Sequence, residues 1–289
     1  MADCVSWPGR PAWDRLVPGK PPSPQPRQTA RMNAHIVLAH PEPKSFNGHL
    51  TRIAAERLER RGWSVTVSDL YAMGFDPCER GDHYAVRQAP DRFDAQAEQR
   101  HASEQEAMPP EVRSEIAKLD RCDLLILQYP MWWHLPPAML KGWFDRVFIY
   151  GAVYARRKRF EAGRFLGKRV MLSVTVGTSP DTYAFNGRSG DIDLLLWPVN
   201  FTLAYVGFTV LTPFVAYGIE GGLRYSDQAT IAARLSGVAE DYGAAVDGID
   251  ARASIPFHRM AEWGADGRIA ATAPVHSPFI RHRRDLTLE

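Results

Sequence analysis

Two adjacent tryptophans, Trp132 and Trp133, stand in a proline-flanked loop, YPMWWHLPP. Upstream lies a continuous apolar run, Leu124-Leu125-Ile126-Leu127, bounded by Asp123 and Pro130. The run is too short for a helix of its own. It reads as a strand buried on both faces, typical of a parallel sheet. A helix is expected from about Pro137, since proline suits a first turn. The loop therefore falls just past the carboxyl end of a strand, where open α/β sheets bind ligands. Tryptophans often pack in cores. Between prolines in a strand-end loop, a pair of them reads better as the wall of a flat, ring-shaped ligand site.

Two other loops carry polar groups at comparable places. Residues 34–39 (AHIVLA) form a first strand, and the loop His40-Pro41-Glu42-Pro43-Lys44-Ser45-Phe46-Asn47 follows it. Leu50, Ile53, Ala54 and Leu58 then recur at helical spacing. Ser45 and Asn47 thus sit at a helix N-terminus, where hydroxyls, N–H groups and the dipole favour a phosphate. The same residues would serve equally as plain helix caps. A third loop, Val176-Gly177-Thr178-Ser179-Pro180-Asp181, follows the strand over residues 169–175.

The elements that must position these loops are strands over residues 34–39, 64–70, 124–129, 169–175 and 208–214, separated by helices. That alternation predicts an α/β fold, a doubly wound five-stranded parallel sheet. In the order 2-1-3-4-5, strands one, three and four are neighbours, so the three loops converge on one crevice. A phosphate loop, a double-Trp loop and a glycine turn around one crevice suit a flavin phosphate and its isoalloxazine ring.

The rest of the 289-residue chain sets bounds. Residues 1–31 are proline-rich and aperiodic, read as a disordered extension. Residues 32–250 are read as one domain of this doubly wound fold, expected to bind the flavin and carry the catalysis. Residues 71–110 within it read as a polar insertion with a weak helix near 96–106. Ser226 is expected to cap the last helix, whose stripe is Ile231, Leu235, Val238, Tyr242 and Val246. Residues 251–289 are proline-broken and read as a surface-wrapping extension. The hydrophobic share of 45% allows a sizeable core, and the net charge of +2 gives no reason to invoke nucleic acid. Three cysteines without metal spacing fit a reducing compartment, hence the cytoplasm. The histidines show no metal-ligand spacing either. No apolar run is long enough to span a membrane, and the first residues lack a signal-peptide core.

The segments LAHPEPKSFNGHL, SDLYAMGFDP, YPMWWHLPPAMLKGWFDRVF and TYAFNGRSGDIDLLLWP together resemble the NAD(P)H:quinone oxidoreductase (DT-diaphorase) family of flavodoxin-like flavoproteins. The resemblance covers residues 34–246. It implies FAD, with FMN as the alternative, reduced by NADPH or NADH and reoxidised by a quinone in two-electron ping-pong turnover. By position, it implies that His40, Ser45, Phe46 and Asn47 hold the phosphate side of the flavin. Pro130, Met131, Trp132, Trp133 and His134 would flank its ring. Thr175, Val176, Gly177 and Thr178 would line the pyrimidine edge, and Tyr183 matches the active-site tyrosine. Val153, Tyr154 and Ala155 match a segment that closes over the substrate from a partner subunit, which implies a homodimer.

Two positions depart from the family pattern. The histidine six residues after the tyrosine is replaced by Ser189, and a flavin-contacting glutamine is matched by Asp94. Hydride transfer to a flavin leaves negative charge near its pyrimidine edge. Backbone N–H groups of Gly177 and Thr178 and the Tyr183 hydroxyl are the candidate donors there. Two other functions share the fold: a regulatory flavoprotein subunit of a membrane potassium-efflux system, and a flavodoxin-type electron carrier. The carrier is usually acidic and shorter, which the +2 charge argues against.

Overall fold

The computed structural model describes residues 31–221 and 226–282. The expected tail over residues 1–31 therefore lies, but for Arg31, outside the described residues. The strands are β1 (Asn33–Leu38), β2 (Ser64–Asp69), β3 (Leu124–Pro130), β4 (Arg169–Thr175), β5 (Thr209–Val210) and β6 (Phe214–Ala216). The α-helices are α1 (Phe46–Arg60), α2 (Ala95–Glu104), α3 (Pro110–Arg121), α4 (Ala138–Val147), α5 (Ile192–Tyr205) and α6 (Gln228–Asp247).

The sheet order is β2-β1-β3-β4-β5, and every pairing is parallel. The doubly wound architecture is the one expected. All seven residues of β3 are buried, which explains its unbroken apolar run. Successive side chains of a strand point to opposite faces. Accordingly Leu125 and Leu127 join the core under α3 and α4, whereas Leu124 and Ile126 join the one under α1 and α6.

The expected fifth strand over residues 208–214 is broken in two. Val170 pairs with Val210, but Ser173 pairs with Phe214, so one extra residue is inserted opposite β4. This is a bulge. Pro213 falls inside it, where the missing N–H breaks no ladder bond. The sheet therefore counts six strands in the same order. The chain returns after α6 to line this broken strand in the antiparallel sense: Thr212 N–H donates to Ala253 O and Ile255 N–H to Val210 O, both at 2.8 Å.

A second correction concerns α6. Asp227, not Ser226, caps it, accepting from Thr230 N–H at 3.0 Å. The Ser226 hydroxyl instead donates to Glu220 at 2.8 Å. The polar insertion is also more ordered than its composition suggests. Glu98 and Gln99 of α2 are buried because each has partners. Glu98 accepts from Arg87 at 2.9 Å and from Gln88 N–H at 2.8 Å. Gln99 donates to Asp145 O at 3.1 Å. Arg146 of α4, itself buried, donates to Asp76 O and to Glu111 and clamps the start of the insertion.

Beneath the sheet, Glu115 of α3 is fully buried. It accepts from Ser68 Oγ and Trp143 Nε1, both at 3.0 Å, and pairs with Lys118. Burial pushes its carboxyl up, but His35, Lys118 and Trp143 outweigh that and hold it down at about 2.

Candidate active site

The double-tryptophan loop leaves β3 as a tight turn. Met131 N–H donates to Thr175 O at 2.9 Å, fastening the loop to β4. Trp132 and Leu135 then exchange both backbone hydrogen bonds at 3.0 Å. Between them Trp133 and His134 both take positive φ, 52° and 63°. Two consecutive positive φ values in a two-residue turn ordinarily call for Asn-Gly. A tryptophan there is strained. The strain presents its side chain outward: Trp133 is 92% exposed and Trp132 42%. Core packing is therefore not what these residues do. The His40 ring meets the edge of Trp132 at 6.1 Å, so the loops after β1 and β3 touch.

At the α1 N-terminus the capping use of Ser45 is realised. Its Oγ accepts from Gly48 N–H at 3.1 Å. Asn47 is buried, and its amide is committed. Nδ2 donates to Thr175 Oγ1 at 3.0 Å, and Oδ1 accepts from Gln128 Nε2 at 2.8 Å. The side chain of Asn47 thus ties α1 to β3 and β4 rather than pointing to a ligand. What the turn still offers an anion is first-turn N–H groups, including those of Phe46 and Asn47, that find no partner among the described residues. A side chain at Gly48 would lie 2.4 Å from Pro43 O, so glycine there keeps the His40–Lys44 loop against the helix start. His40 accepts from Glu42 N–H at 3.0 Å through Nδ1. Burial lowers its pKa below the usual histidine value, which favours the neutral ring.

The loop after β4 completes the edge. Val176 N–H is taken by Ala216 O at 2.9 Å, and Thr178 O accepts from Gly218 N–H at 2.9 Å. The N–H groups of Gly177 and Thr178 have no partner among the described residues. Beyond its chain neighbours, a Cβ on Gly177 would come no closer than 3.9 Å to any atom of the described residues, so these residues do not demand glycine there. That open backbone borders a cavity of about 340 Å³ with Tyr217, Glu220 and Arg234. Arg234 donates to Gly218 O at 3.0 Å and Glu220 at 2.8 Å. Tyr183 packs on Tyr217 at 6.1 Å. Ser189 N–H holds Thr182 O at 2.8 Å, fixing the turn that carries Tyr183.

The segment Val153-Tyr154-Ala155 divides. Val153 is fully buried in the core. Tyr154 lines a larger cavity, about 680 Å³, with Leu135, Pro136, Phe144, Phe148 and Tyr205. Its hydroxyl accepts from Gln96 at 3.1 Å. Ala155 sits beside it, paired with Lys158. Gly177 and Thr178 do not border this cavity. Asp94 caps α2, accepting from Ala97 N–H at 3.1 Å. Sequence reasoning missed Gln128, Tyr217 and Arg234. The last two follow the bulge, where reading one unbroken strand hid a second strand-end loop.

The profile of the flavodoxin-like fold family matches residues 32–240. The NAD(P)H dehydrogenase [quinone] 1 of Cavia porcellus is 42% identical over 192 residues, covering 66% of this chain and 70% of that one. This chain belongs to the NAD(P)H:quinone dehydrogenase family. A mouse member, ribosyldihydronicotinamide dehydrogenase [quinone], is 40% identical over 64% of this chain and 81% of its own. A crystal structure of a proposed quinone reductase from Klebsiella pneumoniae superposes with a TM-score of 0.70 at 33% identity, covering 80% of this chain and 91% of that one. Within this quinone dehydrogenase fold, the loops after β1, β3, β4 and β6 all meet at one sheet edge. Residues 32–240 include each of them.

Proposed function

We propose that this protein is a flavin-dependent NAD(P)H:quinone oxidoreductase, with FAD as the flavin. One observation carries the reading: an open Gly177 backbone and an outward, strained Trp132–Trp133 turn share one sheet edge. The chemistry of this edge fits a flavin. First-turn N–H groups at Phe46 and Asn47 suit a phosphate. Trp132, Trp133 and His134, with Pro130 and Met131 behind them, suit a flat ring. The N–H groups of Gly177 and Thr178, without a partner among the described residues, suit an electron-rich edge. Thr175 and Val176 set the height of that edge through backbone bonds. Bound here, the flavin would take a hydride from NADH or NADPH and pass two electrons to a quinone.

The residues supply positioning and electrostatics. The Asn47–Gln128–Thr175 bonds fix the phosphate end relative to β4. Gly177 and Thr178 N–H groups donate without reorganising where negative charge develops, and the Tyr183 hydroxyl adds a third donor. Tyr154 belongs to a different cavity from Gly177 and Thr178, and the family resemblance implies that the segment matching Tyr154 closes over the substrate from a partner subunit. We therefore read the active form as a homodimer. Free Cys78 and Cys122 support a cytoplasmic location.

Purified protein should be yellow and dimeric by sedimentation. Heat-released flavin should run as FAD, and menadione should be reduced with NADH or NADPH. A colourless protein that takes up neither FAD nor FMN would overturn the proposal.

A further inference from the structure

Beyond Tyr217, on which Tyr183 packs, lies a third cavity, of about 500 Å³, that the proposed activity does not use. It is walled by α5, β6 and the segment that returns after α6. That volume is in the range of small-molecule sites. Its aromatic wall is Trp197 and Phe279, with ring centroids 5.1 Å apart.

Two side chains on its wall, Asn200 and Asp193, present acceptors that find no donor among the described residues. Asn200 is 3% exposed, and its Oδ1 has no hydrogen-bond partner among the described residues. A buried acceptor without a donor is costly. Asp191 caps α5 through Asp193 N–H at 2.9 Å. The Asp193 carboxylate itself makes no hydrogen bond or ion pair among the described residues. Its carboxyl is raised by burial and by the neighbouring Asp191, as expected where no cation balances it. His276, also on the wall, is held by Glu262 at 3.3 Å.

We propose that this cavity binds a flat aryl ligand carrying a cationic amidine, with its ring against Trp197 and Phe279 and its N–H groups on Asn200 Oδ1 and Asp193. An apolar ring suits the walls. N–H donors suit the unpartnered acceptor, and positive charge suits the carboxylates. Tyr217 lines both this cavity and the one beside Gly177 and Thr178. A ligand here would therefore press on the partition behind the Tyr183 site, and its arrival should be felt there.

Benzamidine is the probe. Calorimetry on the protein with its flavin loaded should show saturable binding of one benzamidine per chain. Benzyl alcohol, which keeps the ring and loses the cation, should bind about tenfold more weakly or less. Asn200→Leu and Asp193→Asn should each weaken benzamidine about tenfold. Asp193 is exposed at the rim, so Asp193→Asn tests the site even if Asn200→Leu does not fold. Binding should also shift the flavin absorbance slightly, through Tyr217. Unchanged benzamidine affinity in Asp193→Asn overturns the proposal, as does competition between benzamidine and menadione. Calorimetry reads the cavity whether or not a flavin is taken up, so its result stands apart from that of the redox proposal.

Discussion

The carboxyl edge of the sheet and the buried layer under α3 and α4 solve opposite problems with the same kinds of residue. Under α3, a charged group is driven inside and each of its oxygens is answered. Glu115 takes hydrogen bonds from Ser68, Lys118 and Trp143. A tryptophan there is wholly buried and uses its one N–H. At the edge, another tryptophan stands almost fully in solvent on a strained backbone, and two backbone N–H groups, at Gly177 and Thr178, go unanswered among the described residues. Consistency between local preference and surroundings marks the region that stabilises. Its absence marks the region proposed to take a ligand.

The largest effect should come from the satisfied side. Glu115→Gln should destabilise the protein at neutral pH by about 3 kcal/mol, because Lys118 and His35 lose the carboxylate that balances them. The folded-state pKa of Glu115 is depressed. Its contribution is therefore complete above the ordinary glutamate value of 4.5 and is lost as pH falls towards about 2. Urea unfolding from pH 6 to 2 should show this acid limb flattened in the variant. An unchanged limb would mean that Glu115 is not the residue answered there.

Gly177→Val should do the converse. A Cβ at this position meets only Ile219 O, at 3.9 Å, among the described residues beyond its chain neighbours, so melting should stay within a degree or two. Flavin affinity should fall by about 2 kcal/mol, roughly thirtyfold, because the added side chain occupies ligand space. Fluorescence titration of the apoprotein measures it. A large loss of stability instead would move Gly177 to the structural side of the contrast.

Trp133→Gly sharpens the same point with opposite signs on the two axes. Relief of the positive φ should stabilise the chain by about 1 kcal/mol, while the KM for quinone rises. If stability and KM both stay put, the turn's strain has no use.

The smallest effects concern the Tyr183 turn. Tyr183→Phe should slow hydride transfer to the flavin about fivefold, roughly 1 kcal/mol, since the Gly177 and Thr178 donors remain. Ser189→Ala should change little, because Ser189 contributes its backbone N–H to Thr182. Stopped-flow bleaching of the oxidised flavin by NADPH reads both. Equal damage from the two would make the Ser189 hydroxyl a partner of Tyr183.

What could be read beforehand follows physical lines. Strands β1, β3 and β4 were legible because burial on both faces forces unbroken apolar runs. The strand over residues 208–214 was misread although its signal was present: Pro213 in such a run marks a break. Ser226 and Asp227 are both good caps, and only Thr230 N–H, three residues on, chooses between them. Glu98 and Gln99 looked like surface because burial by pairing leaves no hydrophobic period. At the candidate site, the Trp and Gly loops were legible as strand-end turns from their residue types. The commitment of Asn47 to Thr175 and Gln128 did not, because it depends on contacts across 128 and 81 positions of chain. Val153, one residue from Tyr154, lies in the core for the same reason: which neighbour faces a cavity is settled by packing.

The bulge between β5 and β6 has a consequence for how molecules of this protein meet one another. A parallel sheet that ended in a straight, bare strand would offer a row of free N–H and C=O groups to any passing chain. Here that row is bent at Pro213, and Ala253 and Ile255 already occupy the places beside Thr212 and Val210. Chains cut before residue 251 would expose it, and should be more prone to stick together by strand pairing than the full-length chain.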